Sequence, residues 1–162
     1  MESMLKTKKQ GLLIVLSGPS GCGKNTIINK VMENNKNIWL SISCTSRAPR
    51  GEEKNGVNYY FLSRDEFEQE IANDEFLEYA EYSKNYYGTP KKYIKEHLDK
   101  GEDVILEIEI QGALKVKEKI KEALFIFILP PNMKELKRRL EARNTENQEK
   151  IEKVLDFSKK TS

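Results

Sequence analysis

The run Gly18-Pro19-Ser20-Gly21-Cys22-Gly23-Lys24-Asn25-Thr26 follows directly on the apolar segment Leu12-Leu13-Ile14-Val15-Leu16. No other feature of the chain constrains its fold as much. The order reads as a strand running into a phosphate-cradling loop that opens a helix near Lys24. Glycines let several backbone N–H groups converge on one anion, Lys24 adds a positive charge, and the helix N-terminus adds its dipole. The apolar positions Ile27, Ile28, Val31 and Met32 supply the amphipathic face such a helix needs. A loop of this kind holds a nucleotide triphosphate tail. One element departs from the pattern. The residue after the lysine is ordinarily Ser or Thr, whose hydroxyl ligates Mg²⁺, and here it is Asn25. Its carboxamide oxygen can ligate the ion but sits one bond further from the backbone, and Mg²⁺ tolerates little misplacement.

With 162 residues and 38% hydrophobic content, the chain is long enough for one well-cored domain carrying a small inserted lobe. Its 28 basic and 26 acidic residues nearly cancel, so no global field points to nucleic acid or to a membrane surface. The Lys6, Lys8, Lys9 cluster reads as a solvated tail. No apolar run approaches bilayer length and residues 1–10 lack the apolar core of a signal peptide, so the expectation is a cytoplasmic protein. Cys22 and Cys44 have no metal-ligand spacing and are expected to be reduced and incidental.

Along the chain, 39–44 alternates and reads as one strand, with Trp39 as a packing residue. Residues 51–56 form a charged turn, and Tyr59-Tyr60-Phe61 a short strand. Ser63 and Glu66 make a capping box for a helix through Ala72. Residues 76–82 alternate as a strand, with Asn85-Tyr86-Tyr87-Gly88 as its turn. A helix over 90–100 ends at Gly101. The stretch 103–110 begins as a buried parallel strand would. A helix over 111–121, a strand over 124–129, a helix capped by Asn132 with Glu135 as a second capping box, and a last helix over 146–157 follow. Strands alternating with helices behind a phosphate loop imply a three-layer α/β fold around a mostly parallel sheet. The strand-rich stretch 46–88 breaks that rhythm and reads as an inserted mixed β/α lobe facing the loop. His97, the one histidine, falls on a lysine-rich helix and reads as a surface residue.

Taken together, the phosphate loop, Ser41-Ile42-Ser43-Cys44-Thr45-Ser46-Arg47-Ala48-Pro49-Arg50, Gly56-Val57-Asn58-Tyr59, Glu78-Tyr79-Ala80, Asn85-Tyr86-Tyr87-Gly88-Thr89 and Glu107-Ile108-Glu109-Ile110-Gln111-Gly112 closely resemble guanylate kinase. The likeness covers roughly residues 12–155. It implies transfer of the ATP γ-phosphoryl group to GMP with Mg²⁺ required, on a P-loop kinase fold. The core would be 11–45 and 90–162, the GMP-binding lobe 46–89 and the lid 132–157.

What the resemblance implies for single residues can be set beside their chemistry. GMP brings an ionised phosphate oxygen as nucleophile, so positioning and charge neutralisation matter more than a general base. Arg47 and Arg50 flank Pro49, a spacing that can present two guanidinium forks to one dianion, and Tyr59 and Tyr87 can add hydroxyl donors. Guanine offers N1–H and N2–H₂ donors on one edge, and Glu78 stands at the family's guanine-contacting position. Alone, Glu78 on an alternating strand reads more readily as a solvent-facing carboxylate, and only the motif context reverses that. Ser43 and Thr89 match the other base contacts. On the donor side, Gly18, Pro19, Ser20, Gly21, Cys22, Gly23, Lys24, Asn25 and Thr26 would hold ATP. Lys24, Arg47, Arg139 and Arg143 would stabilise the transferring phosphate, with a helix-surface position as the lesser reading of Arg139 and Arg143. Glu107 falls where the family keeps an acid near Mg²⁺ and the acceptor, and Glu109 replaces what is usually Asp. Asn25, Glu107 and Glu109 are thus the expected metal neighbours.

Two departures are larger. The family's third lid arginine aligns with Val154, and family members continue for several tens of residues beyond this point, so the chain reads as C-terminally shortened. The strand over 124–129 would then have an uncovered apolar edge, which favours self-association. A kinase of ATP and GMP, active or impaired by these departures, is the main expectation. The alternative is a catalytically weak module of the same fold that binds GMP or a protein partner.

Overall fold

The computed structural model describes residues 9–142. In chain order the elements are β1 (Leu13–Ser17), α1 (Lys24–Asn34), β2 (Ile38–Leu40), β3 (Cys44–Thr45), β4 (Tyr60–Phe61), α2 (Arg64–Ala72), β5 (Phe76–Tyr82), β6 (Asn85–Pro90), α3 (Lys91–Asp99), β7 (Asp103–Glu107), α4 (Ile110–Lys119), β8 (Leu124–Phe127) and α5 (Met133–Ala142). β1 is the hub of a parallel four-stranded sheet in the order β2-β7-β1-β8. β1 is apolar up to Ser17 and β7 carries the buried apolar run Val104-Ile105-Leu106, because both faces of these inner strands are covered. Leu13, Val15, Val104 and Leu106 pack with Ile94, Ala113 and Val116 on one face, where α3 and α4 lie. Leu16 and Ile105 meet Ile28 of α1 on the other. This is the expected three-layer arrangement. Among the described residues β8 is the outer strand, with Leu124, Ile126 and Phe127 each exposed. No helix among the described residues is long and apolar enough to cross a membrane.

A second, mixed sheet in the order β4-β3-β6-β5 forms the inserted lobe. Its core is Cys44, Phe67 and Phe76. Phe67 is fully buried, stacked between Phe76 and Tyr86 with ring centroids 4.4 and 5.0 Å away. The capping box that starts α2 is present in full: Ser63 Oγ accepts from the Glu66 amide at 3.1 Å, and the Glu66 carboxylate accepts from the Ser63 amide at 2.6 Å.

Several sequence expectations are corrected. The single strand over 39–44 is two strands in two sheets. β2 pairs with β7 as far as Leu40, and after Ser41, whose amide still reaches Ile105 O, the chain crosses to the lobe as β3. The expected turn at 85–88 is strand β6, and the turn lies earlier, at Ser83 and Lys84, with φ of 49° and 67°. β7 ends at Glu107 and α4 begins at Ile110, so Glu109 caps a helix and does not continue a strand. Asn132 does accept from the Glu135 amide at 2.8 Å, but the Glu135 carboxylate turns to Arg138 and Arg139 and leaves the second capping box half made. His97 is not a free surface residue. It stacks on Trp39 with centroids 3.9 Å apart and pairs with Glu102. The helix over 146–157, Arg143 and Val154 lie outside the described residues.

Candidate active site

β1 delivers the chain into the glycine loop. Gly23 is the N-cap of α1 at φ 97°, ψ 18°, a left-handed conformation that glycine adopts without strain. Gly21 allows a close approach: a Cβ there would stand 3.0 Å from Leu140 Cδ2. Leu136 and Leu140 are fully buried. α5 therefore packs its apolar face directly onto the loop, and this packing brings Arg139 over it. The Arg139 guanidinium sits 3.8 Å from where a Gly23 Cβ would be and reaches Cys22 O at 3.5 Å, with its Nε held by Glu135 at 2.7 Å. Lys24 Nζ donates to the Gly18 and Pro19 carbonyls at 2.8 and 3.1 Å, folded back over the loop it belongs to.

Two cavities open on either side of the β7–α4 junction. The first is lined by Gly18, Ser20, Gly21, Gly23, Lys24 and Asn25 together with Glu107, Ile108 and Glu109. The second, about 350 Å³, is lined by Ser43, Tyr59, Glu78, Ala80, Tyr82, Tyr87 and Gly88 from the lobe, by Gln111, Gly112 and Lys115 from α4, and by the same Glu107, Ile108 and Glu109. Glu107–Glu109 is thus a shared wall. A ligand bound by the glycine loop and one bound against the lobe would meet there.

In the lobe cavity, Glu78 is fixed by Thr89, whose Oγ1 donates to Oε1 at 2.7 Å. Burial pushes the Glu78 carboxyl above its ordinary value, while the Thr89 bond and the ammonium groups of Lys115 and Lys119 pull it back. Both lysines come from α4 and donate to carbonyls beside Glu78, Lys115 to Tyr79 O at 2.9 Å and Lys119 to Leu77 O at 2.7 Å. They tie the lobe strand to the core helix. Gly112 lets that helix close in, because a Cβ there would stand 3.1 Å from Glu78 Oε2. Tyr59 and Tyr87 meet edge to face, centroids 6.2 Å apart, and the Arg47 guanidinium lies 5.3 Å from the Tyr59 ring centre.

Ser43, Tyr59, Glu78, Tyr87, Thr89, Glu107 and Glu109 are therefore brought together as expected, and so are the glycine loop, Lys24, Asn25 and Arg139. The pair of arginine forks is not as expected. Arg47 is buried and its fork is taken by Glu53, Nη1 to Oε2 at 2.9 Å and Nη2 to Oε1 at 3.0 Å. Arg50 is exposed, and its backbone amide donates to the same carboxylate at 2.8 Å. Glu53, Lys115, Lys119 and Gly112 were not legible as site residues. Only the position of Glu53 three residues after Arg50, in a charged turn, could have hinted at its role.

The oxygen donors Asn25, Glu107 and Glu109 around the loop cavity suit Mg²⁺, an ion usually bound by one or two carboxylates plus substrate phosphates and water. No cluster of three or more His, Cys, Asp or Glu that could hold a metal ion is found among the described residues.

A family model described as Guanylate kinase matches residues 10–162. A guanylate kinase from Caldanaerobacter subterraneus subsp. tengcongensis is 55% identical over 147 residues, covering 91% of this chain and 71% of that one. One from Halalkalibacterium halodurans is 52% identical over 152 residues, covering 94% and 74%. The crystal structure of guanylate kinase from Anaplasma phagocytophilum superposes with a TM-score of 0.66 at 36% identity, covering 95% of this chain and 87% of that one.

Proposed function

The chain belongs to the guanylate kinase family, and from that premise we propose how its residues divide the work of moving the γ-phosphoryl group of ATP to GMP. The observation that carries the assignment is the shared wall. The glycine loop cavity and the lobe cavity both end on Glu107–Glu109, so donor and acceptor phosphates converge at one place.

The ATP phosphates lie along the loop amides and the α1 N-terminus, where partial positive charge awaits them. Lys24 exchanges its two carbonyl partners for phosphate oxygens, and Arg139, already over the loop, meets the charge that spreads over the transferring group. Guanine enters the lobe cavity with its N1–H and N2–H₂ edge on Glu78. Thr89 holds one oxygen of that carboxylate, and Lys115 and Lys119 favour its charged, accepting form. Ser43 lies on the same cavity wall. The acceptor phosphate falls to Tyr59, Tyr87, Arg47 and Arg50. An oxygen of GMP forms the new bond to the γ-phosphorus as the bond to the β-bridging oxygen of ATP breaks, giving GDP and ADP. The nucleophile is already ionised, which agrees with cavities lined by no histidine. Mg²⁺, bound near Asn25, Glu107 and Glu109, would neutralise the β- and γ-phosphates.

ADP release measured with Mg-ATP and GMP, with AMP and UMP as controls, tests the reading. Turnover confined to GMP is expected, with discrimination against AMP reduced in Glu78→Gln. Equal rates for GMP and AMP, or undiminished discrimination in that variant, would remove Glu78 as the guanine reader.

A further inference from the structure

The turn between β3 and β4 carries a carboxylate that the reaction as described does not use. Glu53 takes both ends of the Arg47 fork and the Arg50 amide, and its own amide donates to Arg50 O at 3.1 Å. Arg47 Nη1 gives its other hydrogen to Ala48 O at 2.9 Å, and the Arg47 amide donates to Thr45 Oγ1 at 3.2 Å. Those bonds use both hydrogens of Nη1 and one of Nη2. Among the described residues, the Nε–H and the outer Nη2–H form the remaining edge, shared with the Tyr87 hydroxyl and of the right width for two phosphate oxygens. It lies beside the Tyr59 ring and within hydrogen-bonding reach of Tyr87.

Resting on the reading that Arg47 and Arg50 take the acceptor phosphate, we propose that Glu53 is a positioning residue for that phosphate. Its carboxylate locks the end of the Arg47 guanidinium so that the side edge is presented, and draws the Arg50 backbone into the same turn. Glu53 is part of the turn and not a carboxylate in the phosphate's place. Glu53 is bonded to the turn through its backbone as well as its side chain, so the carboxylate belongs to the scaffold and does not swing in from outside. A buried arginine that lost this partner would keep its charge but lose its orientation, and a planar guanidinium gives two-point recognition only when its plane is fixed. Preorganisation of this kind lowers the ordering cost of binding without touching the ligand.

The test compares binding of GMP and of guanosine, which lacks the phosphate, by calorimetry in the unaltered chain and in Glu53→Gln, Arg47→Ala and the double variant. Thermal denaturation establishes that each is folded, and Glu53→Asp serves as the milder change if Glu53→Gln unfolds. Glu53→Gln is expected to weaken GMP by about tenfold or more, the size of a lost charged hydrogen bond, and to leave guanosine within about twofold. In the Arg47→Ala background Glu53→Gln should add clearly less than it does in the unaltered chain, because only the Arg50 backbone remains to position. Tighter GMP binding in Glu53→Gln would mean that Glu53 competes with the phosphate, and unchanged binding that it has no part; either overturns the proposal. If Arg47→Ala itself leaves GMP affinity unchanged, the placement of the phosphate fails first. If Arg47→Ala weakens GMP and Glu53→Gln does not, only the positioning role fails.

Discussion

Gly112→Ala should separate stability from guanine recognition. Gly112 is the third residue of α4, and a Cβ built on it stands 3.1 Å from Glu78 Oε2, 3.3 Å from Glu78 Cδ and 3.5 Å from Ile108 Cδ1. Ordinary contact begins near 3.4 Å, so the carboxylate must give way by a few tenths of an ångström. It can do so cheaply for the fold, because the atoms met are the far end of a side chain. Replacing a helical glycine by alanine gains up to about 1 kcal/mol, somewhat less in a first turn. For a domain of this size that corresponds to a rise in Tm of up to about 2–4 °C. Binding moves the other way. Glu78 is held on its other oxygen by Thr89 at 2.7 Å, so a push on Oε2 twists the pair of acceptors that the guanine edge needs. Losing one charged hydrogen bond costs about 1.5–3 kcal/mol, or roughly 10- to 150-fold in GMP affinity. Thermal denaturation and calorimetric titration with GMP and AMP measure both halves, with AMP affinity expected to be indifferent. A variant that melts higher yet binds GMP within about twofold of the unaltered chain would show that Glu78 does not read the base from this position.

Gly88→Ala should be purely destabilising, by about 1–3 kcal/mol in urea denaturation, because its Cβ would meet the buried rings of Phe76 and Phe67 at 2.9 and 3.0 Å and rings cannot bend away; stability within about 0.5 kcal/mol of the unaltered chain would mean the Phe67 stack is looser than it is drawn. Asn25→Ser places the usual hydroxyl at the proposed Mg²⁺ site and should raise turnover severalfold across a Mg²⁺ titration with GMP affinity unchanged; an equal or lower rate would mean the carboxamide is already adapted to its place. Glu135 is held at about 2 by Arg138 and Arg139, and Glu53, Glu66 and Asp74 are also held below their ordinary values, by Arg47, the Ser63 backbone and Lys91 in turn. Their stabilisation is complete above the ordinary carboxylate range and lost as pH falls from about 5 towards 2. Glu70 and Glu78, raised by burial, act in the opposite sense. The urea midpoint should therefore fall over that window, more shallowly in Glu135→Gln, and a flat profile would show that these pairs stabilise nothing.

The phosphate loop, the Ser63–Glu66 capping box and the buried inner strands were legible because each is a local code. Glycine spacing, a cap three residues from its partner, and an apolar run are properties of adjacent residues, and the structure keeps all three. Ser43, Tyr59, Glu78 and Tyr87, named from motifs, line one lobe cavity, but the geometry that joins them was not legible. The alternation of 39–44 says that a strand forms and is silent on which sheet accepts it. The answer came from β7 on one side and β6 on the other, both distant in sequence. Asn85-Tyr86-Tyr87-Gly88 has turn chemistry, yet pairing with β5 and β3 holds it extended and leaves Ser83 and Lys84 to turn at positive φ. The same distinction governs charge. Arginines at 47 and 50 were expected to hold a phosphate, but whether a fork is available depends on what else lies within 3 Å, and Glu53 takes the Arg47 end. Lys115 and Lys119 look like solvated helix residues until α4 packs on β5 and places them at the carbonyls around Glu78. Residue type determined the chemistry this chain can perform. Which donors remain open, and which carboxylate stays charged, was decided by contacts between segments that only the folded chain brings together.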